Sequence, residues 1–350
     1  MVELSFYTQT LLPVLLCALS VSIIFTITLI VILKPLLIRY ALARPNARSS
    51  HKVPTPQGGG IAILLSSIIA IIIFSFSGYP VSKTLLVILW SLPLALLGGM
   101  DDIWPLSPLI RLIIQLVICA GLVVFSSMDS GRIFPEYIPF WFEQILLITA
   151  AVWFVNLFNF MDGLDWMCVS ESVPVLSALC FFFITGGLLP ETLLSASLLG
   201  GFLGFAWFNK PVARLFLGDA GSLPLGLLIG YLLLELAYAG ALISALILPL
   251  YYVCDTTITL VRRFMQKKKV WQAHREHFYQ QATDNGYSVL RVDTIVFILN
   301  GILALLAILA FFYSSALSQF ICFCLGLSCV LAVLKLFATS EKPDGKPQEG

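Results

Sequence analysis

Five short stretches of this sequence hold side chains that can bind a cation, move a proton or grip a phosphate. Gly98-Gly99-Met100-Asp101-Asp102 sets two carboxylates side by side, ahead of Pro105 and Pro108. Hard divalent cations choose carboxylate oxygen, and a carboxylate also accepts protons, so the pair offers Mg²⁺ binding or base chemistry. Because it closes an apolar run read as a helix, it sits where the helix dipole disfavours anions, and a compensating cation is expected nearby. Asn156, Asn159, Asp162 and Asp165 lie three apart around Gly163. That spacing makes them neighbours on a helix surface, and their amides and carboxylates suit the hydrogen-bond pattern of a sugar, ribose or base. Left unsatisfied among apolar neighbours, four such groups would cost several kcal/mol, about 1–3 each, which favours a ligand or a wet cavity.

The other three stretches are weaker alone. Phe208-Asn209-Lys210-Pro211 leads into Phe216-Leu217-Gly218-Asp219-Ala220-Gly221-Ser222. Asp219 between glycines is an oxygen ligand on an adaptable backbone, and the helix start beyond it has free N–H groups for a phosphate; the plain alternative is a capped Gly-rich turn. His274-Arg275-Glu276-His277-Phe278-Tyr279-Gln280 holds two of the three histidines. The HExxH zinc spacing is absent, and imidazoles beside arginine suit phosphate oxygens or proton transfer better than a metal. In His51-Lys52-Val53-Pro54-Thr55-Pro56-Gln57-Gly58-Gly59-Gly60 the glycines read as close helix packing, with His51 and Lys52 as the functional candidates. Elsewhere plain readings are preferred: Glu235 and Asp255 lie in spans, Asp255 a turn or two from Arg262 and structural, Glu171 is a polar helix contact, and Lys267 to Lys269 are a membrane-surface feature.

The elements that position these groups follow from composition. Of 350 residues 59% are apolar and 11% charged, and the apolar ones form blocks of the length, roughly 18–25 residues, that crosses a bilayer as a helix. The expected fold is all-α, a polytopic transmembrane bundle of about 11 spans: 10–33, 58–77, 83–99, 109–127, 141–159, 167–187, 191–208, 222–238, 240–260, 293–313 and 315–337. It reads as one integral-membrane domain over 1–340, with active loops at 34–57, 100–108, 160–166, 209–221 and 261–292, and a polar tail at 341–350. The first block is read as a retained span rather than a cleaved signal. A net charge of +1 gives no electrostatic case for nucleic acid. The eight cysteines sit in apolar blocks without a CxxC pair and read as reduced thiols.

Lysine and arginine orient the bundle. Lys34, Arg39, Arg44, Arg48 and Lys52 fill one loop, and Arg262, Arg263, Lys267, Lys268, Lys269, Arg275 and Arg291 another, while only Lys83 and Arg132 fall in or beside loops of opposite parity. The first group is therefore expected inside, with the N-terminus out and the C-terminus in. Counting spans then puts all five chemical stretches on the cytoplasmic side, facing external loops that look chemically plain. Chemistry at one surface follows. A transporter places ionisable groups nearer the midplane.

Together and in this order, HKVPTPQGGG, GGMDD, NLFNFMDGLD, FNKPVARLFLGDAGS and HREHFYQ resemble the polyprenyl-phosphate N-acetylhexosamine-1-phosphate transferases, the glycosyltransferase family 4 enzymes that include phospho-N-acetylmuramoyl-pentapeptide transferase. The resemblance implies transfer of a sugar-1-phosphate from a UDP-N-acetylhexosamine to polyprenyl (undecaprenyl) phosphate with release of UMP. It implies Mg²⁺ (or Mn²⁺) as cofactor, membrane lipid around the protein, a bacterial inner membrane, and a homodimer as in some members. Carried over, Asp101 and Asp102 are catalytic, with Asp219 and Asp102 at the metal. Lys52, Asn156, Asn159, Asp162, Asp165, Asn209, Phe216, His274 and His277 are substrate-binding, with His51 and Arg275 as further candidates. The HxxHxYQ form resembles the branch that starts O-antigen and other surface polysaccharides rather than the muramoyl branch. Trp166 stands where many members have Gly. The rival reading is a secondary transporter or lipid flippase with a cytoplasmic gate; a membrane metal-dependent hydrolase comes third.

Overall fold

The computed structural model describes residues 2–43, 54–104, 106–272 and 274–339. Thirteen helices run through them: α1 (Val2–Tyr40), α2 (Gly59–Phe76), α3 (Ser82–Ile103), α4 (Pro108–Ser130), α5 (Phe140–Phe160), α6 (Met167–Thr185), α7 (Leu189–Asn209), α8 (Asp219–Tyr238), α9 (Leu242–Ile247), α10 (Leu250–Met265), α11 (Phe278–Asp284), α12 (Val289–Phe312) and α13 (Ala316–Ala338). The strands among the described residues, β1 (Leu42–Ala43) and β2 (Thr55–Pro56), form one antiparallel ladder of two residues each.

Ten helices are long and apolar enough to cross a membrane: α1 from Leu11 onward, α2 to α8, α12 and α13. Helices α6, α7 and α8 are buried along most of their length and form the centre. Helices α1 and α13 leave Leu16, Ile24, Val31, Leu317 and Phe320 exposed, as a lipid-facing wall requires. The expected span 240–260 is a departure. It is divided at Leu248 and Pro249 into α9 and α10. Proline supplies no N–H and disfavours helical geometry in the residue before it, so the ladder breaks there.

Polar contacts show which helix ends lie together. At one end, Asp102 at the close of α3 accepts hydrogen bonds from the backbone N–H of Asp219 (3.3 Å) and Ala220 (3.2 Å) at the start of α8. Asn159 at the close of α5 reaches Asp219 there (2.9 Å), and Gly60 at the start of α2 donates to the Leu217 carbonyl (3.1 Å). At the other end, Lys83 at the start of α3 meets Asp129 of α4 (2.8 Å), Glu191 of α7 (3.2 Å) and Glu235 of α8 (3.0 Å). Successive helices thus alternate between the two ends. Helix α9 leaves the Glu235 end, and Asp255 on α10 meets His277 (3.1 Å), whose ring lies beside Phe160. Together α9 and α10 occupy the expected span 240–260 in two pieces, and neither is among the ten helices long and apolar enough to cross.

The loops opposite the chemical stretches are not plain, contrary to expectation. The exceptional cations Lys83 and Arg132 are both neutralised within the bundle. Lys83 holds three carboxylates, and Arg132 pairs with Glu143 (3.0 Å), which is fully buried.

Candidate active site at the carboxylate end

The site is built where three helices come closer than side chains normally permit. A Cβ on Gly98 would collide with the Asp219 carbonyl oxygen, and Gly60 meets Gly221 backbone to backbone. The glycines of GGG, GGMDD and GDAGS therefore press α2, α3 and α8 together, and the carboxylates of Asp102 and Asp219 end as neighbours. Asp102 crosses from the unfavourable end of one helix dipole to the favourable start of another, where both of its oxygens accept N–H groups.

Asp101 does something different. One oxygen accepts the Leu106 N–H (2.6 Å) and the other pairs with Arg111, which also lies 3.7 Å from Asp219. Arg111 is the compensating cation that the dipole argument requires. Sequence inspection passed over it because it lies one loop away, inside the apolar start of α4. Against it stand Asp101, Asp102, Asp162 and Asp219. The Asp162 carboxyl, in the loop after α5, is pushed up to about 8 by burial and then by the charges of Asp219 and Asp102. At neutral pH it therefore carries a proton until a cation arrives.

Asn159 ties the cluster together by donating to both Asp219 (2.9 Å) and Ser222 (2.8 Å). Asn156, one turn further from the helix end, is not brought to the cluster; its amide donates to Gln115 of α4 (2.7 Å). Asp165 accepts the Ala213 N–H (2.8 Å), and Asn209 is buried with its amide spent on the Trp166 N–H (2.8 Å) and the Leu215 carbonyl (2.9 Å). These two hold the 210–218 loop in place. Phe216 pairs through its backbone with Pro56 and Gly59 and is half-buried. Trp166 adopts a left-handed backbone (φ 59°), the conformation glycine takes freely, and its indole N–H donates to the Ala206 carbonyl (2.6 Å).

The histidine loop closes one side. His277 is 3% exposed and fixed by Asp255, which also accepts the N–H groups of Phe278 (3.1 Å) and Tyr279 (3.2 Å). Asp255 is expected to be structural and near Arg262; its carboxylate instead ties α10 to the 277–279 stretch. His274 stacks on His277 with centroids 4.9 Å apart, and burial, then the charges of His277 and Arg263, lower it to about 4. Its Nδ1 accepts the Glu276 N–H (3.3 Å). Arg275 pairs with Asp284 (3.2 Å). Cys168, also missed, donates to Asp162 (3.3 Å). His51 and Lys52 lie outside the described residues.

Among the described residues no three His, Cys, Asp or Glu side chains are grouped to hold a metal ion by themselves. The donor set nevertheless fits Mg²⁺. That ion typically takes one or two protein carboxylates and completes its shell with water and substrate phosphate. Asp219 and the cation-starved Asp162 are the residues that would hold it.

Fold and site together define a multi-pass membrane protein with a carboxylate-rich end. Residues 84–237, which carry most of that site, match the family model described as glycosyl transferase family 4. The chain is 25% identical over 322 residues to a probable undecaprenyl-phosphate N-acetylglucosaminyl 1-phosphate transferase of Bacillus subtilis, covering 87% of this chain and 88% of that protein. It is 28% identical over 313 residues to a decaprenyl-phosphate N-acetylglucosaminephosphotransferase of Mycobacterium tuberculosis, covering 78% and 76%. It is 33% identical over 211 residues to a phospho-N-acetylmuramoyl-pentapeptide-transferase of Carboxydothermus hydrogenoformans, covering 51% and 61%.

Proposed function

We propose that this protein transfers an N-acetylhexosamine-1-phosphate from a UDP-sugar to polyprenyl phosphate, undecaprenyl phosphate in a bacterium, at the cytoplasmic face of the inner membrane. The carrying observation is the cluster of Asp102, Asp162 and Asp219 at the helix ends with Arg111 as its near cation. An acceptor whose phosphate stays at the lipid surface needs a site at helix ends rather than at mid-membrane.

In the reaction an oxygen of the lipid phosphate attacks the sugar-bearing phosphorus of the UDP-sugar. A new P–O bond forms, the bond from that phosphorus to the bridging oxygen breaks, and UMP leaves with the electron pair. Such a transfer asks mainly for positioning and charge neutralisation. Mg²⁺, when bound, supplies that neutralisation on the diphosphate. Arg111 screens Asp219 and, through Asp101, is held in place. Asp102 fixes the start of α8, so that Asp219 presents its carboxylate to the same point. Asn159 sets the rotamer of Asp219. His274, neutral at pH 7, offers one hydrogen bond to a phosphate oxygen or sugar hydroxyl without adding charge. Direct attack by the lipid phosphate needs no covalent enzyme intermediate and is the favoured route.

The names of the relatives make N-acetylglucosamine the first donor to test, and the lipid-linked product is read as the first membrane intermediate of O-antigen or another envelope polysaccharide. Purified protein with Mg²⁺, undecaprenyl phosphate and UDP-N-acetylglucosamine labelled in the sugar is expected to release UMP and form a lipid-extractable labelled sugar phosphate. Label released only into water, or no lipid product across a panel of UDP-N-acetylhexosamines, would overturn the proposal.

A further inference from the structure

The two stacked histidines have hydrogen-bond partners that set them to opposite roles. Asp255, fully buried on α10, accepts the Phe278 N–H at Oδ1 (3.1 Å) and the Tyr279 N–H at Oδ2 (3.2 Å). The hydroxyls of Thr259 (3.5 Å) and Tyr251 (3.4 Å) also reach it. Backbone N–H groups can only donate, so both carboxylate oxygens are committed as acceptors. His277 Nδ1 meets the same carboxylate at 3.1 Å, and the proton of that contact therefore sits on the ring. A proton on Nδ1 leaves Nε2 of the neutral ring with a lone pair. His274 is set the other way. Its Nδ1 accepts the Glu276 N–H (3.3 Å), which puts its own proton on Nε2. Among the described residues neither Nε2 has a hydrogen-bond partner.

Packing holds both settings. The His277 ring lies between His274 (centroids 4.9 Å apart) and Tyr279 (5.7 Å), stacked on each. A half-turn of that ring would set a C–H against Asp255 and forfeit the contact. Glu276, whose N–H sets His274, is itself pinned. Its carboxylate takes Arg263 and Lys268 (3.0 Å), and its carbonyl accepts Arg262 (2.7 Å) and Gln281 (2.6 Å). We infer that Asp255 is a positioning residue that holds His277 as its Nδ1–H tautomer, so that the stack offers one acceptor, His277 Nε2, and one donor, His274 Nε2–H. The inference rests on the proposed transfer from a UDP-sugar and assigns this loop its share of donor recognition. The donor nitrogen suits a phosphate oxygen or a carbonyl. The acceptor nitrogen suits an O–H or amide N–H of the sugar and repels a phosphate oxygen, which has only lone pairs to present. A loop of two cationic imidazoles would grip any diphosphate, whereas this pair distinguishes the sugar from the phosphates.

The test uses the full-length protein in detergent with nitrogen-15 histidine. The chain has three histidines, His51, His274 and His277, so His51→Gln and His274→Gln assign the signals. Long-range proton–nitrogen spectra without substrate, at pH 8 and so above the ordinary histidine value of about 6.5, are expected to show His277 protonated at Nδ1 alone and His274 at Nε2 alone. Asp255→Asn is expected to release His277 to the Nε2–H form, as the same change does behind a hydrolase histidine. It is also expected to raise KM for UDP-N-acetylglucosamine roughly 3–10-fold, the worth of one hydrogen bond, with KM for undecaprenyl phosphate unchanged. His277 found as Nε2–H or doubly protonated in the unsubstituted protein would overturn the inference, whether or not Asp255→Asn folds. So would an unaltered His277 tautomer in folded Asp255→Asn, or a rise in both KM values together, the mark of a packing role alone. The spectra need no turnover, so a contrary tautomer leaves the proposed transfer standing; failure of that transfer shows instead as absence of the lipid-linked product.

Discussion

The two ends of the bundle use the same residue types in opposite ways. At the Lys83 end, cations sit inside their carboxylates: Lys83 holds Asp129, Glu191 and Glu235, and Arg132 holds Glu143. At the Asp219 end, Arg111 meets Asp101 and Asp219, Asp102 and Asp162 lie within reach of the Asp219 charge, and Asp162 is driven toward its protonated form. At the Lys83 end each cation is bound directly by carboxylates of other helices and ties those helices together. Carboxylates converging on one arginine, one of them pushed toward its protonated form, invite a further cation, and strongly perturbed groups gathered in this way mark candidate functional sites. Helices α3 and α8 join the two regimes, paired by Lys83 and Glu235 at one end and by Asp102 and the first N–H groups of α8 at the other.

The sharpest break of this contrast is at the carboxylate end. Asp219→Asn and Asp102→Asn are each expected to lower transfer by roughly 10²–10³-fold, the loss typical when a charge-stabilising group is removed, while membrane expression persists. Turnover per folded molecule separates the two. Arg111→Gln is expected to cost less, on the order of 10–100-fold, with partial recovery in Arg111→Lys, because lysine restores charge but not the planar fork that reaches Asp101 and Asp219 together. Steady-state rates at saturating Mg²⁺ check it. At the other end, Lys83→Met leaves carboxylates uncompensated. It is expected to lower stability by about 2–3 kcal/mol, below the fully buried range because Lys83 and Asp129 are partly exposed, with little change in KM. Denaturation and kinetics on one preparation give both numbers.

A subtler test follows from protonation. Asp162 ionises near pH 4 when unfolded and at about 8 when folded without a cation, so the folded state binds the extra proton between those values. Its contribution is present at low pH and lost as pH rises through 8. In chelator, Asp162→Asn is therefore expected to gain thermal stability relative to the unsubstituted protein as pH goes from 5 to 8. His274 runs the other way: its folded value of about 4 lies below the unfolded value, so acidification through pH 6 and below weakens the loop. His274→Gln is expected to flatten that acid limb in melting curves.

Much of this was legible in the sequence. Block lengths gave the helices, and charge parity put GGMDD, NLFNFMDGLD, GDAGS and HREHFYQ at one end. What escaped were pairings across distance. Nothing local joins Lys83 to a glutamate 152 positions away, or Asp255 to His277 rather than to the nearby Arg262. The positive-charge count treated Lys83 and Arg132 as stray exceptions because their neutralising partners sit on other helices. Pro93, Pro174 and Pro224 lie within α3, α6 and α8 without ending them, whereas Pro249 divides its helix, a difference that composition alone does not show.

The most direct test sets the two ends against each other in one assay. Transfer of labelled N-acetylhexosamine-1-phosphate to undecaprenyl phosphate is measured for Asp219→Asn and Lys83→Met, with rates normalised to folded protein. We expect Asp219→Asn to lose the lipid-linked product and Lys83→Met to retain it. Equal loss in both, or undiminished product from Asp219→Asn, would contradict the division of the molecule into a working end and a holding end.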